Sequence, residues 1–443
     1  MTNILYMNNY SIIAIILLII LIIIHLYYYY EYLNTFCCVT INSSNNTNDT
    51  NNEILNIEKF TTVNIPTVIG FNPIKSNKLY YGVNCKYIKN DAFYTVLNNL
   101  GYKKTNNIHD ASLIVPCTYD NVDDEINTIN NIIDKNKYGD AVRIYMLNNT
   151  DYLVSKMMLW IILKKTYGEE TAATIMPKTY DLSKPDEFRK KYKKGQIYIL
   201  KNNKQRQEGL KISMDFNEII NSNKDYLLAQ ELLQNPYCID GYKINLRVYC
   251  LVIKDNYGNY NLQIYNNGIV YYTNEKFEKG NPKFEKNITT GYCDGTIWDN
   301  HPFTHHEFRD YLDDNNRNKN NIEKYISENN ILSDYVFFHI YTLLKFVFKP
   351  YVNTLGNNTK GVGFQLYGAD IAINDDMKPM LMEINKGPDM TIKAQEKHKY
   401  LKIELATNIL QSVGLIENNN NNNFIKISEE INMNGNIFNV DNC

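Results

Sequence analysis

The chain has 443 residues and a formal net charge of −2, and 44% of its residues are hydrophobic. This length is enough for about two or three domains with substantial cores. The near-neutral charge excludes the strongly basic surface that nucleic-acid binding usually needs, so we expect no nucleic-acid partner. The eight cysteines contain no C-x-x-C pair, which argues against a zinc site or a disulfide framework.

The N-terminal segment 1–33 contains an almost unbroken apolar run, SIIAIILLIILIIIHLYYYYEYL, at residues 11–33. Its length matches the thickness of a bilayer, and tyrosines favour the membrane interface. We therefore predict a single-pass transmembrane anchor. A cleaved signal peptide is the alternative, although no basic residue precedes the run and bulky tyrosines stand where small cleavage-site residues are expected.

Two polar segments flank the predicted folded body. Residues 34–60 are rich in Asn, Ser and Thr, which is typical of a flexible stalk. Residues 417–443 begin with a run of asparagines and are predicted to form a linker and a short tail. Between them, residues 61–150 read as a small α/β lobe, because KLYYGVN, DAFYTVLNNLGYKK and ASLIVPC alternate strand, helix and strand. A parallel sheet is expected for this lobe.

The next region contains two lysines in suggestive positions. DYLVSKMMLWIILKKTYG has helical spacing and carries Lys156. QIYILKNNKQRQEGLKI reads as a strand, a polar loop and a second strand, with Lys201 at the base of the loop. A loop with a lysine at its base is one way to cover the phosphates of a nucleotide. A solvated hairpin is the alternative.

A long strand is predicted in YKINLRVYCLVI, after the turn QNP. Because side chains alternate along a strand, Lys243, Asn245 and Arg247 share one face, and the intervening apolar residues share the other. The polar row is suited to contact phosphates. An amphipathic edge strand with a solvated cationic face would show the same pattern.

Three oxygen ligands lie on a predicted hairpin near the C-terminus. ADIAI and PMLMEIN are short apolar runs joined by the polar turn NDDMK. Glu383 and Asn385 share a face of one strand, and Asp370 lies on the partner strand. Two carboxylates and an amide oxygen suit Mg²⁺. The alternative is that all three are surface residues of the hairpin.

The order of these motifs resembles the tubulin–tyrosine ligase family over residues 75–412. The resemblance also includes PKTYDL at residues 177–182, QELLQNPYCIDGYKINLRVYCLV and MLMEINKGPDM. It implies an α+β ATP-grasp fold, in which two α+β lobes clasp ATP. The central lobe would be residues 151–240 and the C-terminal lobe residues 241–416, preceded by the small α/β lobe and the transmembrane helix.

The resemblance implies roles for individual residues. Arg247 would lie near the γ-phosphate and the acyl-phosphate intermediate, and Asp370, Glu383 and Asn385 would bind magnesium. Lys386 follows the last of these where the family usually has a small or polar residue, and we predict that it meets an anionic group in catalysis. The implied nucleotide contacts are Lys156, Lys201, Gln207, Gly209, Gln230, Glu231, Leu233, Lys243 and Asn245.

The implied activity is an ATP- and Mg²⁺-dependent ligation of an amino acid (Glu, Gly or Tyr) to a protein carboxylate through an acyl phosphate. Tubulin or another protein would be the acceptor, and the catalytic body would face the cytosol. Three departures from the family concern loop and acceptor positions: Gly209 is the one glycine of its loop, Asn245 replaces an aspartate, and Tyr271 replaces an arginine. A catalytically inactive, membrane-anchored ATP-binding scaffold and a small-molecule ATP-grasp ligase are the two alternatives.

Overall fold

The computed structural model describes residues 77–82, 91–116, 129, 133–202, 209–290, 295–326, 331–351, 355, 361–418 and 422–427. The predicted anchor and stalk lie outside these residues, and so does Gln207. Among the helices that the structure describes, none is both long enough and apolar enough to cross a bilayer.

Helices and strands are mixed throughout the described residues, as the predicted α+β class requires. The strands, in chain order, are β1 (Leu79–Gly82), β2 (Lys103–Thr105), β3 (Leu113–Val115), β4 (Arg143–Ile144), β5 (Thr179–Asp181), β6 (Tyr198–Lys201), β7 (Leu210–Ser213), β8 (Leu228–Glu231), β9 (Cys238–Ile239), β10 (Tyr242–Lys254), β11 (Tyr260–Thr273), β12 (Thr289–Thr290), β13 (Val362–Ile373), β14 (Pro379–Lys386) and β15 (Phe424–Lys426). The α-helices are α1 (Ala92–Asn99), α2 (Asp151–Val154), α3 (Lys156–Tyr167), α4 (Glu169–Ile175), α5 (Pro185–Lys191), α6 (Phe216–Asn221), α7 (Phe284–Asn287), α8 (Ile297–Asn300), α9 (His305–Asp313), α10 (Asn315–Tyr325), α11 (Leu332–Phe348) and α12 (Glu396–Ser412).

The larger sheet is mixed, and in the described residues it has 11 strands. Its main path runs in the order β12-β11-β10-β13-β4-β3-β1-β2, with β14 paired to β13, β15 to β11 and β9 to β10. The parallel sheet predicted for the N-terminal lobe is present, because β1 pairs in parallel with β2 and β3, and β3 with β4. Since β4 also pairs in parallel with β13, strands on both sides of residue 150 share one sheet.

The smaller sheet is antiparallel and has four strands in the order β5-β8-β6-β7. The two strands predicted on either side of the loop after Lys201 are confirmed as β6 and β7. Aromatic packing holds helix α5 against this sheet, because Phe188 is fully buried and contacts the rings of Tyr180 and Tyr198. This sheet positions Lys201 and Gln230.

The long strand β10 lies inside the larger sheet, between β11 and β13, and confirms the predicted alternation. Ile244, Leu246 and Val248 are at most 1% exposed, as expected for the face that packs. Helices α1 and α12 pack against each other, and both contribute to the core cluster that covers the larger sheet. The polar row therefore lies on an interior strand whose other face is packed in the core.

The asparagine-rich segment differs from the predicted linker where the structure describes it. Strand β15 pairs antiparallel with β11, and Phe424 is 2% exposed in the main core. Asparagine side chains fasten this strand to α12, because the Nδ2 atom of Asn423 donates to Glu404 at 3.0 Å and that of Asn422 to the Asn408 carbonyl at 3.0 Å. The low-complexity composition of this segment gave no indication of these specific hydrogen bonds.

Candidate functional site

The hairpin that carries the predicted metal ligands is present as β13 and β14. Asp370 and Glu383 lie directly opposite each other in the ladder, and Asn385 lies opposite Gly368. The Nδ2 atom of Asn385 donates to Glu383 Oε1 at 3.2 Å. The structure thus brings the three predicted ligands together on one face.

A β-bulge at Met382 makes this arrangement possible. The register runs from Ile371 opposite Leu381 to Asp370 opposite Glu383, so Met382 has no partner of its own. Opposed residues of an antiparallel pair point to the same face, and a one-residue shift reverses the face. In an unbroken ladder Asp370 would oppose Met382, and Glu383 would point away from it. The strict alternation predicted from the sequence did not include this extra residue.

Arg247 on β10 lies opposite Asp370 on β13 and forms a bidentate ion pair with it. The distances are 2.6 Å from Nε to Oδ1 and 3.1 Å from Nη2 to Oδ2. The guanidinium carbon lies 5.3 Å from the centroid of the Tyr271 ring. A Cβ atom added at Gly368 would lie 3.0 Å from Arg247 Cδ, so the bare backbone there makes room for the arginine. These contacts define one position for the guanidinium.

The two carboxylates of the hairpin have different electrostatic surroundings. Burial raises the pKa of the Asp370 carboxyl, and Glu383 adds to this against the opposing effect of Arg247. Burial also disfavours ionisation of Glu383, but Lys156 and Lys201 outweigh it and hold the pKa of Glu383 below its usual value. The Nζ atom of Lys156 lies 3.8 Å from Glu383 Oε2. Glu383 is therefore the carboxylate that stays ionised most readily.

Local capping fixes the position of Lys156. It is the first residue of α3, and the preceding Ser155 has an extended backbone whose side chain accepts a hydrogen bond from the Met158 N–H. Such an N-cap stabilises the start of a helix. The lysine is thereby held at a defined helix end beside Glu383.

Lys201 is oriented by a buried chain of hydrogen bonds. Its Nζ atom donates to Gln230 Oε1 at 2.7 Å, and Gln230 Nε2 donates to Thr179 Oγ1 at 2.9 Å. Burial lowers the pKa of Lys201 to about 8, partly offset by Glu383. The amide of Gln230 therefore holds the lysine. Thr179 was not predicted, although its place in the PKTYDL motif was the available signal.

Lys243 and Asn245 extend the polar row of β10. Lys243 is 3% exposed and lies opposite Cys238 on β9, and burial lowers its pKa to about 8. The Oδ1 atom of Asn245 is buried without a hydrogen-bond partner in the described residues. A buried polar atom without a partner is costly, so this oxygen is suited to a donor on a bound ligand.

Gly209 has a backbone that its loop requires. Its φ is +74°, and an added Cβ would lie 2.0 Å from the Asn202 side chain. Glycine is the residue that accepts both conditions at low cost. The position directly before β7 therefore favours glycine, although the family's second glycine is missing from the sequence.

Three further predicted residues lie close to the site or at its edge. Glu231 accepts a hydrogen bond from the Tyr180 hydroxyl at 2.8 Å, on the face of β8 opposite to Gln230. Leu233 is 9% exposed and follows the end of β8. Lys386 lies opposite Tyr367, and its Nζ atom contacts Asp151 Oδ1 at 2.8 Å. The anionic group that Lys386 meets in this structure is therefore a side chain of the protein.

The donor set fits a hard divalent cation. No group of three or more His, Cys, Asp or Glu side chains arranged for a metal occurs in the described residues. The hairpin instead offers two adjacent carboxylates and an amide, which are ligands that Mg²⁺ accepts when substrate phosphates and water complete its shell. The lysines around the hairpin fit a phosphate-bearing ligand better than a closed metal site. The Asn245 oxygen is an acceptor, so it suits a hydrogen-bond donor on the same ligand and not the phosphate oxygens themselves.

The fold and the site define an α+β protein in which a carboxylate hairpin faces a row of lysines and one arginine. The family model for the tubulin-tyrosine ligase family matches residues 134–422, more than half of the chain. The chain belongs to this family.

Curated relatives match over parts of their length. A probable tubulin polyglutamylase, TTLL9, from Rattus norvegicus is 30% identical over 183 residues, which cover 39% of this chain and 35% of the relative. The tubulin polyglutamylase TTLL7 from Mus musculus is 23% identical over 341 residues, covering 71% of this chain and 35% of the relative. The human TTLL7 is 22% identical over 320 residues, which cover 66% of this chain and 34% of the relative. The chain thus spans about a third of the length of these relatives.

Proposed function

We propose that the chain is an ATP-dependent carboxylate–amine ligase that joins an amino acid to a carboxylate of a protein. The observation that carries the proposal is the convergence of Asp370 and Glu383 with Arg247, Lys156 and Lys201 around one bulged hairpin. Glutamate is the first amino acid to test, and tubulin the first acceptor, because the relatives above are named tubulin polyglutamylases. Glycine and tyrosine are the next candidates.

The proposed reaction has two steps. An acceptor carboxylate attacks the γ-phosphorus of ATP, which gives an acyl phosphate and ADP. The amine of the incoming amino acid then attacks the acyl carbon, loses a proton and displaces inorganic phosphate, which leaves an amide. Both steps gather negative charge on phosphoryl oxygens, so fixed cations beside them supply much of the acceleration.

Each group of side chains has a task in this scheme. Lys156, Lys201 and Lys243 would hold phosphate oxygens, and Arg247 would stabilise the charge that develops during transfer. Asp370, Glu383 and Asn385 would hold Mg²⁺, which supplies charge neutralisation between phosphates when bound. In the structure Glu383 is paired with Lys156 and Asp370 with Arg247.

The test is incorporation of labelled amino acid by the full-length chain. Labelled glutamate, glycine and tyrosine are each supplied with MgATP and tubulin, and label is measured separately in protein and in soluble products. Glu383→Gln is expected to abolish transfer, whereas Glu278→Gln, at an exposed ion pair with Lys286, should retain it. Label in a soluble dipeptide would assign a small-molecule ligase. MgATP binding without transfer of label to any product would favour the alternative, a catalytically inactive ATP-binding scaffold.

A further inference from the structure

Two ion pairs connect strand β14 to the segment that contains α2 and the start of α3. Lys156 Nζ lies 3.8 Å from Glu383 Oε2, and Lys386 Nζ lies 2.8 Å from Asp151 Oδ1. Strand β14 contributes the carboxylate, Glu383, to the first pair and the lysine, Lys386, to the second. The two pairs therefore fix the spacing between the same two parts of the chain.

Asp151 is close in sequence to Lys156, and the chain between them is short and ordered. Helix α2 begins at Asp151 and anchors itself through Leu153, which is 0% exposed. Ser155 then links α2 to α3 with an extended backbone at φ −69° and ψ 118°. Because one residue separates the two helices, a shift of α2 is passed on to the first residue of α3, which is Lys156.

Lys386 is held for contact with α2 and not with the metal-ligand face. In β14 the side chains alternate, so Lys386 points away from the face of Glu383 and Asn385. Its side chain is 11% exposed, whereas that of Asp151 is 78% exposed. An ion pair with one exposed partner adds little to global stability. Such a pair would matter because it fixes the position of α2 relative to β14.

We propose that Asp151 is a positioning residue, which acts with Lys386 to place Lys156 beside Glu383 and the nucleotide phosphates. We call the Asp151–Lys386 pair the β14 latch. The inference rests on the proposed function, because Lys156 is there a phosphate contact. It assigns Lys386 a partner within the protein, so that this lysine acts through α2 without touching the substrate.

A charge exchange tests the β14 latch. Asp151→Lys, Lys386→Asp and the double variant are made in the full chain, and MgATP affinity is measured by calorimetry. Each single variant is expected to weaken binding about tenfold, and the double variant to recover to within about threefold of the parent, because contacting residues are strongly non-additive. Lys378→Asp is the matched control at the other end of the hairpin, where Lys378 pairs with Asp376, and should bind normally.

Two results would overturn the latch. One is a double variant whose loss of affinity equals the sum of the two single losses, which would mean that Asp151 and Lys386 act independently of each other. The other is an Asp151→Lys variant with normal affinity. If the parent chain does not bind MgATP, the proposed function fails, and hydrogen exchange in residues 151–159 decides the latch separately. Exchange should then rise in both single variants and return to the parent rate in the double variant; unchanged rates in the single variants would refute the pairing.

Discussion

Arg247 and Asp370 form a bidentate ion pair across strands β10 and β13. In the proposed reaction Arg247 would bind a phosphate group and Asp370 would bind the metal ion. In the structure the guanidinium of Arg247 and the carboxylate of Asp370 bind each other. A metal ion that arrives alone must compete with the guanidinium. Phosphate and metal together would satisfy both groups at once.

The pair should be strongly coupled in the folded protein. A double-mutant cycle with Arg247→Met and Asp370→Asn is expected to give a coupling energy of about 2 kcal/mol, measured by urea unfolding. Both side chains are 14% exposed, so screening by solvent is limited. The exposed Lys378–Asp376 pair, treated in the same way, should give about 0–1 kcal/mol. Equal values for the two pairs would contradict the expectation.

Removing the arginine should alter metal binding in opposite directions with and without nucleotide. Arg247→Met releases Asp370, so free Mn²⁺, used in place of Mg²⁺, should bind about tenfold more tightly at pH 8. The same variant should bind MgATP more weakly, because a phosphate contact is lost. Titration calorimetry measures both affinities, with Lys378→Met as control. A parallel loss of both would show that Arg247 does not restrain the metal ligands.

Lys243 is expected to weaken the ligand-free fold. Burial lowers its pKa to about 8, so the folded protein binds fewer protons than the unfolded chain above that pH, and stability rises as pH increases from 8 towards 10.5. Lys243→Met removes this penalty and should stabilise the protein by about 2 kcal/mol at pH 7 while weakening MgATP binding.

MgATP affinity of the parent should fall as pH rises through 8, because the neutral amine is a poorer phosphate partner.

Lys254 offers a matched control on the same strand. It is 6% exposed, and burial lowers its pKa as well, but it lies at the far end of β10 from Arg247. Lys254→Met should leave MgATP affinity unchanged. Denaturant unfolding and calorimetry on both variants separate the two roles. Destabilisation by Lys243→Met, together with intact binding, would reassign this lysine to the core.

The loop glycine should resist substitution for two separable reasons. Gly209→Ala meets both a positive φ and the Asn202 side chain, and should destabilise the protein by about 2 kcal/mol and weaken MgATP binding. Gly195 has a φ of +87° with no atom near an added Cβ, so Gly195→Ala measures the backbone effect alone, about 1 kcal/mol. Gly209→Ala combined with Asn202→Ala should recover the difference, as followed by thermal unfolding.

Local periodicity was sufficient to predict the β13–β14 hairpin, the alternating faces of β10 and the strands around Lys201. It could not predict the bulge at Met382, because the extra residue is apolar and fits either strand face. The hydrogen bond from Lys201 to Gln230 and the pair of Lys386 with Asp151 join distant parts of the chain. Such contacts follow from the assembled sheet and leave no local pattern.

The parallel pairing of β4 with β13 also sets an order of events during synthesis. Arg143 and Ile144 of β4 pair with Val362 and Gly363, which leave the ribosome much later. Until then β4 presents an open edge, and open edges invite pairing with other chains. Long-range parallel pairing is also slow to form. The nascent N-terminal strands therefore pass through a period of exposure that ends when β13 arrives, and a chaperone would be of most use in that interval.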